Sequence, residues 1–377
     1  MAHMGAKVKK APKPLNFAAM SLFKAAAKPF IIAGPCSAES REQVLETAGA
    51  VKDVIQLFRA GVWKPRTRPG SFEGRGEEAL AWLQEAKEVH GIKTTVEVAE
   101  PAHVELALKY GMDVLWIGAR TTVNPFQVQR IADALKGVNI PVMVKNPVNP
   151  DVDLWQGAIE RVQHAGITEV AAIHRGFSIS DAGSPYRNPP NWPIPIELKR
   201  RRPELPIICD PSHITGKRDI VADIAQKAMD MGFDGLMIET HPKPENALSD
   251  AAQQITPAVL KQLLKGLVIR HEYSADMSKT MELEYLRQLM DSIDAEVIDL
   301  VARRMELSER IGAVKKDCNM TAYQPERWRD IVDSRGERAE RLQLDKEFIV
   351  ALYQMIHNES IRRQLEILQG TIKPVND

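Results

Sequence analysis

The chain has 377 residues, 44% of them hydrophobic and 27% charged, the mix of a globular protein long enough for two domains. Fifty basic side chains balance fifty acidic ones, so the net charge gives no case for nucleic acid or an anionic membrane as partner. Three scattered cysteines (Cys36, Cys209, Cys318) are too few for a disulfide scaffold or a zinc finger and point to a reducing, cytoplasmic setting.

Residues 1–28 read as an N-terminal arm. Its lysines and the Phe17–Phe23 stretch imitate a signal peptide, but that stretch is only about seven residues long. No apolar run approaches the roughly 18 residues that a membrane span needs. From 29 to 267, short apolar runs alternate with helical segments. The runs are PFIIAGPCS, LFRAGVWKP, KTTVEVAEP, DVLWIGAR, PVMVKNP, EVAAIHRG, PIICDPSH and GLMIETH. Most are separated by amphipathic stretches such as Glu77–His90, Phe126–Lys136, Trp155–His164 and Ile220–Met231. Eight strand–helix units in about 240 residues are the size of a closed (β/α)8 barrel, the TIM barrel. An open doubly wound sheet would place a glycine-rich GxGxxG turn after the first strand, and Gly34-Pro35-Cys36 is not one.

Residues 268–280 read as a linker, and 281–377 carry only helical periodicity. A first helix is expected over about 283–316, with apolar Leu286, Leu289, Ile293, Val297, Leu300, Leu307, Ile311 and Val314. A second starts at Pro325, a residue favoured at the first helical position, and a third covers Lys346–Gln369. The first would be roughly 50 Å long. Two shorter helices cannot cover that much apolar stripe, whereas a homodimer through the helical domain, or a higher oligomer, would.

In barrels of this type the chemistry sits at the carboxyl ends of the strands. Those ends carry Cys36, Lys64, Arg66, Arg120, Lys145, His174, Arg175, His213 and Glu239, with Asp250 in the last loop. Cys36, His213, Glu239 and Asp250 form a mixed soft and hard ligand set that suits Mn²⁺, Fe²⁺, Co²⁺ or Zn²⁺ better than Mg²⁺. Each alone reads as readily as a buried structural residue. The cations suit phosphate and carboxylate ligands, and Lys64-Pro65-Arg66-Thr67 makes a stiff turn able to cradle a phosphate. Arg59 and Glu97 lie inside strand runs, where a buried charge needs a partner; they are candidates to pair with each other across neighbouring strands.

The strings GPCSAES, KPRT, IGAR, VKNP, HRG, CDPSH and IETHPKPENALSD, in this order, resemble the short subgroup of type I 3-deoxy-D-arabino-heptulosonate 7-phosphate (DAHP) synthases, which is shared with the 3-deoxy-octulosonate 8-phosphate synthases. The sister enzymes typically have Lys-Ala-Asn-Arg where this chain has Lys64-Pro65-Arg66-Thr67, which favours erythrose 4-phosphate over arabinose 5-phosphate. The resemblance implies a divalent metal, Mn²⁺ first, on Cys36, His213, Glu239 and Asp250. It implies phosphoenolpyruvate on Arg59, Lys64, Arg120, Lys145 and Arg175, and the aldose phosphate on Arg66 and Thr67. Lys145 is the expected proton donor and Glu97 the expected water-placing group. Asn146-Pro147 departs from the Arg-Gly of many subgroup members.

In the tail, Arg304 falls in the apolar stripe and Lys315 follows three turns later on the same face. Ser360 and Gln364 sit four apart on the inward stripe of the last helix. Buried cations and amides need partners: an anionic ligand would serve, as would ion pairs of the cations with Asp294 or Glu309. Arg287 lies about 100° round the helix from Arg304, so one protomer does not aim both at one point. Residues 283–369 resemble the all-helical chorismate mutases, making the tail a three-helix chorismate mutase-like domain. The resemblance implies a cofactor-free rearrangement of chorismate to prephenate by Arg287, reaching in from the partner, with Arg304, Lys315, Arg327 and Gln364, while Ser360 holds a carboxylate. Gln324 and Trp328 stand where that family can have acidic residues. The expectation is a bifunctional enzyme of aromatic amino acid biosynthesis, with prephenate as a feedback inhibitor. Its rivals make the tail only a chorismate- or prephenate-sensing module, or only a dimerisation hairpin.

Overall fold

The computed structural model describes residues 22–25, 29–64, 70–179, 183–271 and 273–371. Two compact units divide the chain, Met1–Glu272 and Tyr273–Asp377.

In the first unit, a helical turn α1 (Leu22–Ala25) leads to strand β1 (Phe30–Gly34) and helix α2 (Arg41–Val51). Then come β2 (Leu57–Arg59), α3 (Glu77–His90), β3 (Thr94–Val98), α4 (Pro101–Lys109), β4 (Val114–Ile117), α5 (Ala119–Thr122), α6 (Pro125–Ala134) and β5 (Val142–Lys145). The unit continues with α7 (Val152–His164), β6 (Val170–His174), α8 (Pro193–Arg201), β7 (Ile207–Cys209), α9 (Pro211–Thr215), α10 (Val221–Asp230), β8 (Gly235–Glu239) and α11 (Pro257–Gly266). The strands are parallel in chain order and close from β8 back to β1, where Phe30 pairs with Gly235 and Gly34 with Glu239.

Successive strand residues face opposite sides of a sheet, which gives the barrel two apolar layers. Ile31, Ala33, Phe58, Leu115, Val144 and Leu236 pack outward with the helices. Phe30, Ile32, Leu57, Trp116, Met143, Ile173, Ile208 and Met237 fill the interior. Phe23 of α1 joins that interior and meets Phe30 edge-on, so part of the expected arm is packed. The same period places the site. Two residues beyond Leu57, Met143, Ile173, Ile208 and Met237 stand Arg59, Lys145, Arg175, Asp210 and Glu239, so inward positions turn polar toward the carboxyl ends.

The second unit is helical: α12 (Met277–Asp317), α13 (Pro325–Arg341) and α14 (Lys346–Gln369). α12 begins inside the stretch expected as linker because the Asp276 side chain caps it, accepting from the backbone N–H groups of Ser278 and Lys279. Its 41 residues make it about 60 Å long. The face it buries is Met305, Ser308, Gly312 and Lys315, offset from the leucine stripe read from the sequence. A Cβ on Gly312 would come within 3.2 Å of Gln364 Cα, so this glycine permits close approach of α12 and α14. Among the described residues no helix is long and apolar enough to cross a membrane.

Candidate active sites

At the carboxyl end of the barrel, one donor atom each from Cys36, Glu239 and Asp250 lies within 4.8 Å of the other two. Cys36 Sγ is 3.4 Å from Asp250 Oδ2, and Lys64 Nζ donates to that sulfur at 3.0 Å and to Cys36 O at 2.8 Å. Burial, reinforced by Glu239, pushes the thiol up to about 12 against the pull of Lys64. The expected fourth ligand, His213, is not one of this close set. Its Nε2 stands 3.7 Å from Glu239 Oε1, while Nδ1 is 2.8 Å from Asp210 Oδ2. Burial would raise Glu239, but His213, Arg59 and Lys64 outweigh it and hold this carboxyl below its ordinary range.

Arg59 is fully buried and pairs with Glu239 Oε1 at 3.3 Å, not with Glu97. Its guanidinium lies over the Trp116 ring, 5.1 Å from the centroid, and Trp116 Nε1 donates to Glu97 Oε2 at 3.0 Å. Lys145 is buried against Asp210, 2.8 Å from Oδ2. Arg175 takes its place from Asn146, whose Oδ1 accepts from the Arg175 backbone N–H at 2.7 Å while its Nδ2 donates to Gly176 O. The residue that departs from the family pattern therefore ties the loops after β5 and β6 together. Burial, with Arg120 and Arg187 nearby, pulls Arg175 down to about 10. Arg120 stands exposed on α5. Arg66 and Thr67 lie outside the described residues.

The donor chemistry fits a divalent cation: a thiol, an imidazole and two carboxylates adjoin one another. Buried Glu239 Oε1 makes no hydrogen bond, only the ion contacts with Arg59 and His213, so this oxygen keeps capacity for a cation.

In the helical unit, buried Lys315 donates to Gln364 Oε1 at 2.9 Å and to Ala322 O. Arg304 Nη1 donates to Ser360 Oγ. Glu309, an alternative partner for Arg304 on sequence grounds, pairs with Arg363 instead. Burial, with Arg335 and Arg327 nearby, lowers Arg304 despite Tyr353. Arg327 itself is exposed. Arg287 is exposed 17 residues back, about 25 Å along the helix axis, beside Glu284, and does not join the cluster of its own protomer. Trp328 stacks on buried His357, with centroids 4.5 Å apart.

The sequence alone does not single out Asp210, Arg187, Trp116 or His357. Asp210 had a signal, standing two residues beyond an inward isoleucine in CDPSH. The others act through partners remote in sequence, and local pattern holds no trace of them.

The sequence matches the DAHP synthetase I family over residues 22–275 and chorismate mutase type II over 286–365. The phospho-2-dehydro-3-deoxyheptonate aldolase of Thermotoga maritima is 33% identical over 238 residues, covering 63% of this chain and 68% of that relative. A 2-dehydro-3-deoxyphosphooctonate aldolase of Legionella pneumophila is 29% identical over 272 residues, 66% of this chain and 94% of its own length. The crystal structure of the Thermotoga maritima enzyme superposes with a TM-score of 0.57 at 32% identity, covering 63% of this chain and 67% of that one. With the barrel matched along its whole length and the helices matched behind it, the chain belongs to the DAHP synthetase I family and carries a chorismate mutase type II domain after the barrel.

Proposed function

We propose that the barrel joins phosphoenolpyruvate to erythrose 4-phosphate, giving DAHP and phosphate, and that the helical unit rearranges chorismate to prephenate. The observation that carries the first half is the convergence of Cys36, Glu239 and Asp250 beneath the cations Arg59 and Lys64. A divalent cation on Cys36, His213, Glu239 and Asp250, Mn²⁺ in our reading, would supply Lewis-acid polarisation of the aldehyde. Arg59, Lys64, Arg120 and Arg175 hold the carboxylate and phosphate of phosphoenolpyruvate, and Arg66 with Thr67 the aldose phosphate. Carbon 3 of phosphoenolpyruvate attacks the aldehyde carbon, water adds at carbon 2, and phosphate departs. Lys145, held on Asp210, is the group placed to give a proton to the oxygen that gains charge. Glu97, fixed by Trp116, orients the water.

In the helical unit the carrying observation is Lys315 held on Gln364 beside Arg304 on Ser360, two cations that pair with no carboxylate among the described residues. They match a dianion whose ether bond breaks: Arg304, Arg327 and a partner's Arg287 grip carboxylates with Ser360, and Lys315 with Gln364 stabilises the ether oxygen. The leucine stripe exposed on α12 supports a homodimer, and prephenate bound in this site is our candidate inhibitor of DAHP formation.

The test follows chorismate loss and DAHP formation on one preparation of the full chain. Prephenate formed by the wild type and abolished in Arg304→Ala supports two activities, whereas chorismate bound without turnover makes the tail a sensor. DAHP formation lost on chelation and restored by Mn²⁺ supports the barrel reading. Product from arabinose 5-phosphate but not from erythrose 4-phosphate would move the barrel to the octulosonate reaction.

A further inference from the structure

Two adjacent amides underlie the cation site without belonging to its donor set. Gln253 and Gln254 follow Asp250 at the end of a single 3₁₀ turn, and both are fully buried. Gln253 Nε2 donates to Glu239 Oε2 at 2.6 Å, and its Oε1 accepts from Arg187 Nη1 at 3.0 Å. The same Arg187 nitrogen pairs with Asp250 Oδ1 at 2.9 Å. Gln254 Oε1 accepts from the Cys36 backbone N–H at 3.0 Å, and its Nε2 donates to Ser249 O at 2.8 Å.

Burying an amide is unfavourable unless both of its ends are paired. Here both ends of both amides are paired, and the partners are the segments that carry Cys36, Glu239 and Asp250. Gln253 occupies one oxygen of Glu239 and leaves the other, Oε1, facing Arg59 and His213 with no hydrogen bond. Asp250 adopts φ 45°, a left-handed conformation that a non-glycine residue holds only where its surroundings enforce it. The Gln253 N–H on Asp250 O at 3.2 Å and the Arg187 pair supply that enforcement.

We propose that Gln253 and Gln254 are positioning residues for the divalent cation. Gln253 selects the free oxygen of Glu239 and, through Arg187, the orientation of Asp250; Gln254 fixes the backbone from which the Cys36 thiol projects. This rests on the reading that Cys36, His213, Glu239 and Asp250 bind the cation.

The experiment is calorimetric titration of Mn²⁺ into the chelator-stripped full chain. The variants are Gln253→Met, which keeps the volume and deletes both hydrogen bonds, and Gln253→Asn, which keeps the amide but shortens its reach. Cys36→Ala tests the site itself. Loss of an outer partner of this kind typically weakens metal affinity about ten- to a hundredfold. That loss is expected in both Gln253 variants, with the circular dichroism of the metal-free protein matching wild type. Mn²⁺ affinity within about twofold of wild type in either folded Gln253 variant, a change below 0.5 kcal/mol, overturns the inference. If Gln253→Met does not fold, Gln253→Asn decides alone. If Cys36→Ala binds Mn²⁺ like wild type, the site reading falls and the inference with it. If Cys36→Ala loses Mn²⁺ while the Gln253 variants keep it, the positioning inference alone falls.

Discussion

Glu97 owes its place to a missing methyl group. A Cβ built on Gly118 would lie 2.0 Å from Glu97 Oε1, so only glycine at this turn lets the carboxylate lie where it does. There it meets the N–H edge of Trp116, whose ring has Arg59 5.1 Å and Lys145 5.9 Å from its centroid. An indole is electron-rich on its faces and positive at its edge. One ring thus gathers two cations and a carboxylate by their signs and holds all three at the mouth of the barrel. Gly118→Ala should displace the flexible Glu97 side chain and leave the strand intact. DAHP formation is then expected to fall about a hundredfold in kcat/KM, the scale of an ångström's misplacement at a reacting centre. Chorismate turnover and circular dichroism should match wild type, and an unchanged DAHP rate would remove Glu97 from the reaction.

At the scale of elements, β6 ends in a side chain that folding keeps from charging. His174 is fully buried at the end of β6, with the rings of Trp155 of α7, Phe177, Trp192 and Phe233 around it. Burial, helped by Arg175, pulls its pKa from 6.5 down to about 3. Below 6.5 the unfolded chain takes up a proton that the folded barrel refuses, so this residue's contribution to stability falls as pH drops toward 3 and levels off there. At about pH 4.5 the loss should be about 3 kcal/mol relative to neutral pH. Urea unfolding of the barrel at the two pH values checks it: His174→Phe, one more ring in an aromatic box, should lose that much less than wild type. Equal losses in the two proteins would mean that His174 titrates normally. The strands themselves are legible because most are buried on both faces and so read as short apolar runs. Burial is not extension, however. The run LFRAGVWKP contains only the short strand Leu57–Arg59, because Ala60, Gly61 and Val62 are equally buried in the loop that follows. The ligand candidates were legible at strand ends. The side chains that orient them were not, since Gln253 meets Glu239 from 14 residues farther along the loop after β8 and Arg187 meets Asp250 from 63 residues away. The leucine stripe of α12 marks where an apolar partner belongs, and among the described residues of one protomer it stays exposed.

For the whole molecule, those leucines carry the argument about assembly. Leu286, Leu289, Ile293, Val297 and Leu300 are each 44–59% exposed along one helix, a larger contiguous apolar surface than a lone protein tolerates well. The same helix carries Arg287 far from the cluster that Arg304 and Lys315 form with α14. A two-fold dimer that covers the stripe would resolve both facts, since a self-complementary interface returns each protomer's Arg287 to its partner's cluster. The consequence is complementation between dead enzymes. Arg287→Ala and Arg304→Ala should each lack chorismate mutase activity as homodimers. When the two are unfolded together and refolded in equal amounts, half the dimers are mixed. In each mixed dimer one site has its own Arg304 and an intact Arg287 from its partner, whereas the other has lost both. Activity should therefore return to about a quarter of wild type, the figure for one intact site in half of the two-site dimers. No recovery, with mixed dimers demonstrated by differential tagging, would place both arginines in one protomer's site or exclude Arg287 altogether. A monomeric full-length chain that turned over chorismate would refute the shared site directly.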